Sequence, residues 1–87
     1  MSSKRFNQKF NIVANNIHKY RTLRNYSQPD ICRELSLIGV TLYINDIYKI
    51  EHEKRCVRDY ELFALAKVLR VSLDQLFENT EDNFSLN

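Results

Sequence analysis

The chain has 87 residues, 44% of them hydrophobic, with a formal net charge of +2, one glycine, one proline and two cysteines. That length supports one small domain around one core, and the hydrophobic share excludes a disordered chain. So few chain-breaking residues exclude a turn-rich β domain and predict helices with short links. No apolar run follows the N-terminal Lys4 and Arg5, and no stretch approaches the roughly 20 apolar residues of a membrane helix, so neither a leader nor a membrane anchor is expected. A cytoplasmic chain with free Cys32 and Cys56 is the resulting expectation.

Residues 1–9 are polar apart from Phe6 and are expected to be a flexible N-terminus ahead of a domain over 10–79. Phe10, Val13, Ile17, Tyr20 and Leu23 recur three or four apart, which predicts a first helix over 10–24 with these residues in the core. Ser27 is a predicted N-cap, Pro29 suits a first helical turn, and Asp30 complements the positive end of the dipole. A second helix over 28–37 follows, with Ile31 and Leu35 inward and Gly39 at its stop. The β-branched and aromatic run 40–43 reads as briefly extended. A third helix over about 43–52 turns Ile47 and Ile50 inward and leaves Asn45, Tyr48, Lys49 and His52 on other faces.

Asp59 is the predicted cap of a fourth helix ending at Leu69, with Leu62, Leu65, Ala66 and Leu69 as its stripe. Ser72 and Gln75 have capping-box spacing for a fifth helix that buries Leu73, Leu76 and Phe77. Residues 80–87 are expected to be a disordered tail, with Phe84 and Leu86 as its possible anchors. The loop 52–58 concentrates charge in Lys54, Arg55 and Arg58, which matters more than the modest total.

Three pieces in order resemble the XRE/Cro-type helix-turn-helix family of phage and bacterial repressors: Ser27-Gln28 opening the second helix, Ile47-Tyr48-Lys49-Ile50-Glu51 closing the third, and 59–77, DYELFALAKVLRVSLDQLF. The resemblance covers residues 12–77. It implies an all-α, five-helix, lambda-repressor-like fold and a sequence-specific regulator of transcription, a repressor, that reads double-stranded DNA with its third helix. It further implies an ion pair of Arg21 with Glu51. The chain departs from the family in three ways. It has about five extra residues between Leu35 and Ile47, as in a branch with an "RxVxDYEL" stretch, so a longer second helix and a looser turn are both open. It has Ile44 where a polar base reader is common, and Glu53 and Arg70 where glycine is usual.

A helix fits the major groove with its first turn on the base edges. Ile44, Asn45, Tyr48 and Lys49 are therefore the candidate base readers: Asn pairs with adenine, Lys with guanine, and Ile packs on a thymine methyl. Asn45 reads equally as a surface amide or helix cap, and Tyr48 as a phosphate contact or core residue. Gln28, at a helix N-terminus, and Lys54, Arg55 and Arg58, after the third helix, are the candidate phosphate contacts. Asp46 opposes phosphate unless it points inward. A homodimer through the fifth helix and tail is expected, because one such unit reads few base pairs.

No catalytic order or phosphate-binding glycine loop is present, so no enzyme and no cofactor is expected. His18, Cys32, His52 and Cys56 lack paired zinc-ligand spacing, so no metal is expected either. The alternative function is a protein-interaction module on the same fold, such as an antitoxin, anti-repressor or assembly factor.

Overall fold

The structure is a computed structural model and describes residues 5–84. Five α-helices follow one another: α1 (Ala14–Leu23), α2 (Gln28–Leu37), α3 (Ile44–Glu51), α4 (Asp59–Leu69) and α5 (Leu73–Leu76). A 3-10 turn, Glu81–Asn83, ends the described chain, and no β-strand occurs among the described residues. No helix there is long and apolar enough to cross a membrane.

The inward stripes meet in one core. Ile17 of α1, Ile31 and Leu35 of α2, Ile47 and Ile50 of α3, Leu65 and Leu69 of α4, and Leu76 of α5 are completely buried. Each such side chain contributes about 1.5–3 kcal/mol relative to exposure. Leu42, in the link between α2 and α3, also enters this core. The stretch between Leu37 and Ile44 thus does not lengthen α2. It forms a connection over 38–43 that is anchored at Leu42.

An acid or amide at the third helical position organises the starts of α2 to α5. Asp30 accepts from the Ser27 N–H at 2.9 Å while Ser27 accepts from the Asp30 N–H at 3.1 Å, a reciprocal capping box. Ser72 and Gln75 do the same at α5. At α3 and α4 the acid alone reaches back, Asp46 to the Tyr43 N–H and Glu61 to the Arg58 N–H, both at 2.9 Å. Arg58 is therefore the cap position of α4, and Asp59, expected there, is its first helical residue.

Four helix ends share one closure. Asn25, Gly39, Glu53 and Arg70 have φ of 59°, 88°, 62° and 59°. The next residue in each case donates its N–H five residues back: Tyr26 to Arg21, Val40 to Leu35, Lys54 to Lys49 and Val71 to Ala66. This is the Schellman pattern, which ordinarily uses glycine at the left-handed residue. With one glycine in the chain, three ends adopt it with larger residues, each at about 1 kcal/mol of strain. Arg24 eases the end of α4 by donating to the Leu69 and Arg70 carbonyls at 2.8 and 3.1 Å.

Several expectations need correction. α1 begins four residues later than predicted. Asn11 is held outside the helix: its Oδ1 accepts from the Val13 N–H, and its Nδ2 donates to the Ile50 and Arg55 carbonyls. Leu23 is 65% exposed, because the row through Val13 and Ile17 continues to Tyr20 and Arg21 instead. Leu73 and Phe77 are 41% and 36% exposed rather than buried, since the one-turn α5 points only Leu76 into the core. Residues 5–9, expected to be flexible, form a turn with reciprocal Phe6 and Lys9 backbone bonds. That turn meets the tail: the Phe6 and Phe84 rings lie 5.0 Å apart, and Lys9 Nζ donates to Asn83 Oδ1 at 2.9 Å. Phe84 is thus an anchor. Leu86 lies outside the described residues, as do 1–4.

Candidate functional site

The outward side of α3 follows from its inward side. With Ile47 and Ile50 buried, the 3.6-residue period turns Ile44, Asn45, Tyr48, Lys49 and His52 to one exposed face. Tyr48 is not a core residue. Its ring stacks on His52 with centroids 4.0 Å apart, and Lys54 Nζ lies 5.7 Å from its centre. The closure at Glu53 folds Lys54 back toward this face through its bond to the Lys49 carbonyl at 2.8 Å. Asn45 is an exposed amide, and the capping role open to it is taken by Asp46.

Two ion pairs hold α3 from behind. Arg21 Nε donates to Glu51 Oε2 at 2.6 Å and Nη2 to Oε1 at 3.0 Å, with the Glu51 side chain 3% exposed. Arg21 also donates to the Tyr26 carbonyl, so its guanidinium locks α1, the α1–α2 turn and the end of α3 together. Burial pushes the Glu51 carboxyl up, but hydrogen bonds from Arg21, His18 and Gln28 and the Arg21 charge outweigh it, and the net shift is downward.

The second pair corrects a site assignment. Arg55, expected on phosphate, instead grips Glu61 through Nη1 and Nη2 at 2.8 and 2.9 Å. Its Nε lies 3.5 Å from Asp46, and only 20% of its side chain is exposed. The sequence signal for this was present in Asp46 and Glu61, each three residues after a helix cap. Reaching back to the cap aims both carboxylates at the loop that carries Arg55. The Glu61 hydrogen bonds raise the Arg55 pKa further. Glu61 itself is pushed up by burial and pulled lower overall by Arg55 and the Arg58 N–H. Asp46 thus turns back toward its own helix start and Arg55.

Gln28 is half-buried, with Nε2 3.4 Å from Glu51 Oε1, so its amide faces the Arg21–Glu51 pair. The start of α2 is a poorer anion site than expected. Pro29 has no N–H, that of Asp30 is taken by Ser27, and the Asp30 carboxylate stands there. Lys49 and Lys54 are the exposed cations beside α3 that form no ion pair among the described residues, whereas Arg58, largely exposed, lies 3.7 Å from the Glu61 carboxylate.

Asn11 is the residue that sequence reasoning missed. It bonds the last turn of α3 and the basic loop to the start of α1, so it sets where Lys54 sits. Val13, not Asn11, is the cap position of α1; locally Asn11 makes only an Asx-type bond, its Oδ1 accepting from the Val13 N–H, and no local signal marks its bonds to the distant carbonyls. Among the described residues no three His, Cys, Asp or Glu side chains stand together as a metal cluster. Burial and then the Asp46 charge push the Cys32 thiol up, away from the reactive thiolate. No protein-family model, no curated protein and no solved structure matches the chain.

Proposed function

We propose that α2 and α3 form a helix-turn-helix of the XRE/Cro type on a lambda-repressor-like fold. In this reading the chain is a sequence-specific double-stranded DNA-binding regulator, a repressor, that acts as a homodimer. The observation that carries it is the exposed α3 face, an apolar, amide, aromatic and cationic set at helical spacing. It is flanked by Lys54 and Arg58 and backed by the rigid Arg21–Glu51 and Arg55–Glu61 pairs. Ile44, Asn45, Tyr48 and Lys49 read base edges, whereas Lys54 and Arg58 neutralise phosphates. Arg55 positions the loop, and Gln28 supports the end of α3.

The measurement is in vitro selection of duplexes from a random pool, followed by salt titration of the selected site. An enriched motif with affinity falling steeply as salt rises supports the proposal. No salt-dependent binding to any duplex overturns it. A specific observation favours the second reading, a protein-interaction module: neutralisation of Arg55 by Glu61 leaves fewer cations for phosphate than the sequence promised. Under that reading binding to random duplex DNA is weak or absent.

A further inference from the structure

α4 turns a second face to solvent that shares no residue with the α3 face. Tyr60 and Phe63 are 55% and 53% exposed, large apolar surface for a chain of this size. With Ile38, Val40, Ala64 and Lys67 they line an open groove of about 380 Å³. We propose that this face pairs with a second copy of the chain, α4 against α4, antiparallel about a two-fold axis at Phe63.

The order of charge along α4 selects this occupant. Asp59, Phe63 and Lys67 follow at i, i+4 and i+8, so they lie in one exposed row. The acid precedes the ring, and the cation follows it, each by about 6 Å of helix rise. A two-fold axis at Phe63 places ring on ring and sets Asp59 of each copy against Lys67 of the other, twice. Such self-complementarity is what an isologous interface requires. A parallel pairing would instead oppose Asp59 to Asp59 and Lys67 to Lys67. An anionic surface would meet Asp59 with repulsion. Lys67 Nζ already lies 5.1 Å from the centre of its own Phe63 ring, at the edge of the aromatic patch where the opposing Asp59 arrives. Ile38 and Val40, from the connection between α2 and α3, wall the groove beside Tyr60 and extend its apolar centre. This places the dimer contact on α4 rather than on α5 and the tail, whose 3-10 turn bonds the N-terminal segment. The proposal is independent of the nucleic-acid reading.

Sedimentation equilibrium of the full chain tests it, with circular dichroism confirming that each variant folds. The unmodified chain is expected to dimerise in the micromolar range. Asp59→Lys and Lys67→Glu are each expected to weaken self-association at least about tenfold, because each turns two attractions into two repulsions. An equimolar mixture of the two variants is expected to recover affinity to within about threefold, since both opposite-charge pairs form again only across the mixed dimer. A chain that stays monomeric at millimolar concentration overturns the proposal, whether or not another protein binds it. So does a dimer indifferent to both reversals, or a mixture without recovery.

Discussion

Arg21 and Arg55 are cations of similar sequence appearance that do structural work, each clamped on a carboxylate that the helix ends have delivered. Removing one partner of a buried pair leaves the other charged and unsatisfied, at a cost of about 3 kcal/mol. Arg21→Ala is therefore expected to lower the melting temperature by more than about 10 °C, given 4–8 °C per kcal/mol for a domain of this size. An unchanged melting curve would show the Glu51 carboxylate to be solvated. Lys54 and Arg58, the phosphate contacts of the proposed function, behave differently. Lys54→Ala with Arg58→Ala is expected to leave melting nearly unchanged while reducing the salt dependence of DNA binding by about two counterions across all sequences. Arg55→Ala is expected to lower the melting temperature as Arg21→Ala does. Thermal melts and salt titrations of the three variants separate the roles.

The elements were legible to different depths. α2 was readable to the residue, because Ser27, Pro29 and Gly39 are local signals acting within one turn of the chain. The start of α1 was not, because Asn11 is bound by carbonyls 39 and 44 residues away. The exposure of Leu23 has a similar origin: Arg21, two residues back and so on the opposite side of the helix, is drawn inward by Glu51. Glu53 and Arg70, standing where glycine is usual, do adopt left-handed backbone. Replacing the strained residue where its side chain is exposed relieves that strain, so Arg70→Gly is expected to raise stability by about 0.5–1 kcal/mol in urea unfolding. The Arg24 bonds to backbone carbonyls survive this change. A loss of stability would mean that the Arg70 side chain contributes something its geometry does not reveal.

For the whole molecule, the two ion pairs tie α1 to α3 and the basic loop to α4, so protonating their acids loosens the frame behind the α3 face. Glu51 and Glu61 both have folded pKa values below the ordinary 4.5. A lowered pKa means that the unfolded chain binds protons first as the solution acidifies. The stabilisation is therefore fully present above 4.5 and is lost as pH falls through the folded values. Melting temperature measured against pH is expected to be flat from neutral pH down to that region and then to drop. The drop is expected to be shallower in Arg21→Ala, where Glu51 has lost its principal partner. An acid limb of equal steepness in the variant would assign the transition to other carboxylates.

Taken alone, the sequence determined the all-helical class, the five α-helices of the described residues, four of their five starts to within a residue and most of the core. Each of these depends on hydrophobic period and on caps that act within a few residues. It also marked the outward residues of α3, because burying Ile47 and Ile50 fixes the opposite face by helix geometry. Only the tertiary structure decided which charges are free. Arg55 and Lys54 are neighbours in the chain, yet one lies against Glu61 and the other in solvent. Partnering of that kind depends on where distant helix ends place their carboxylates, and no local pattern encodes it.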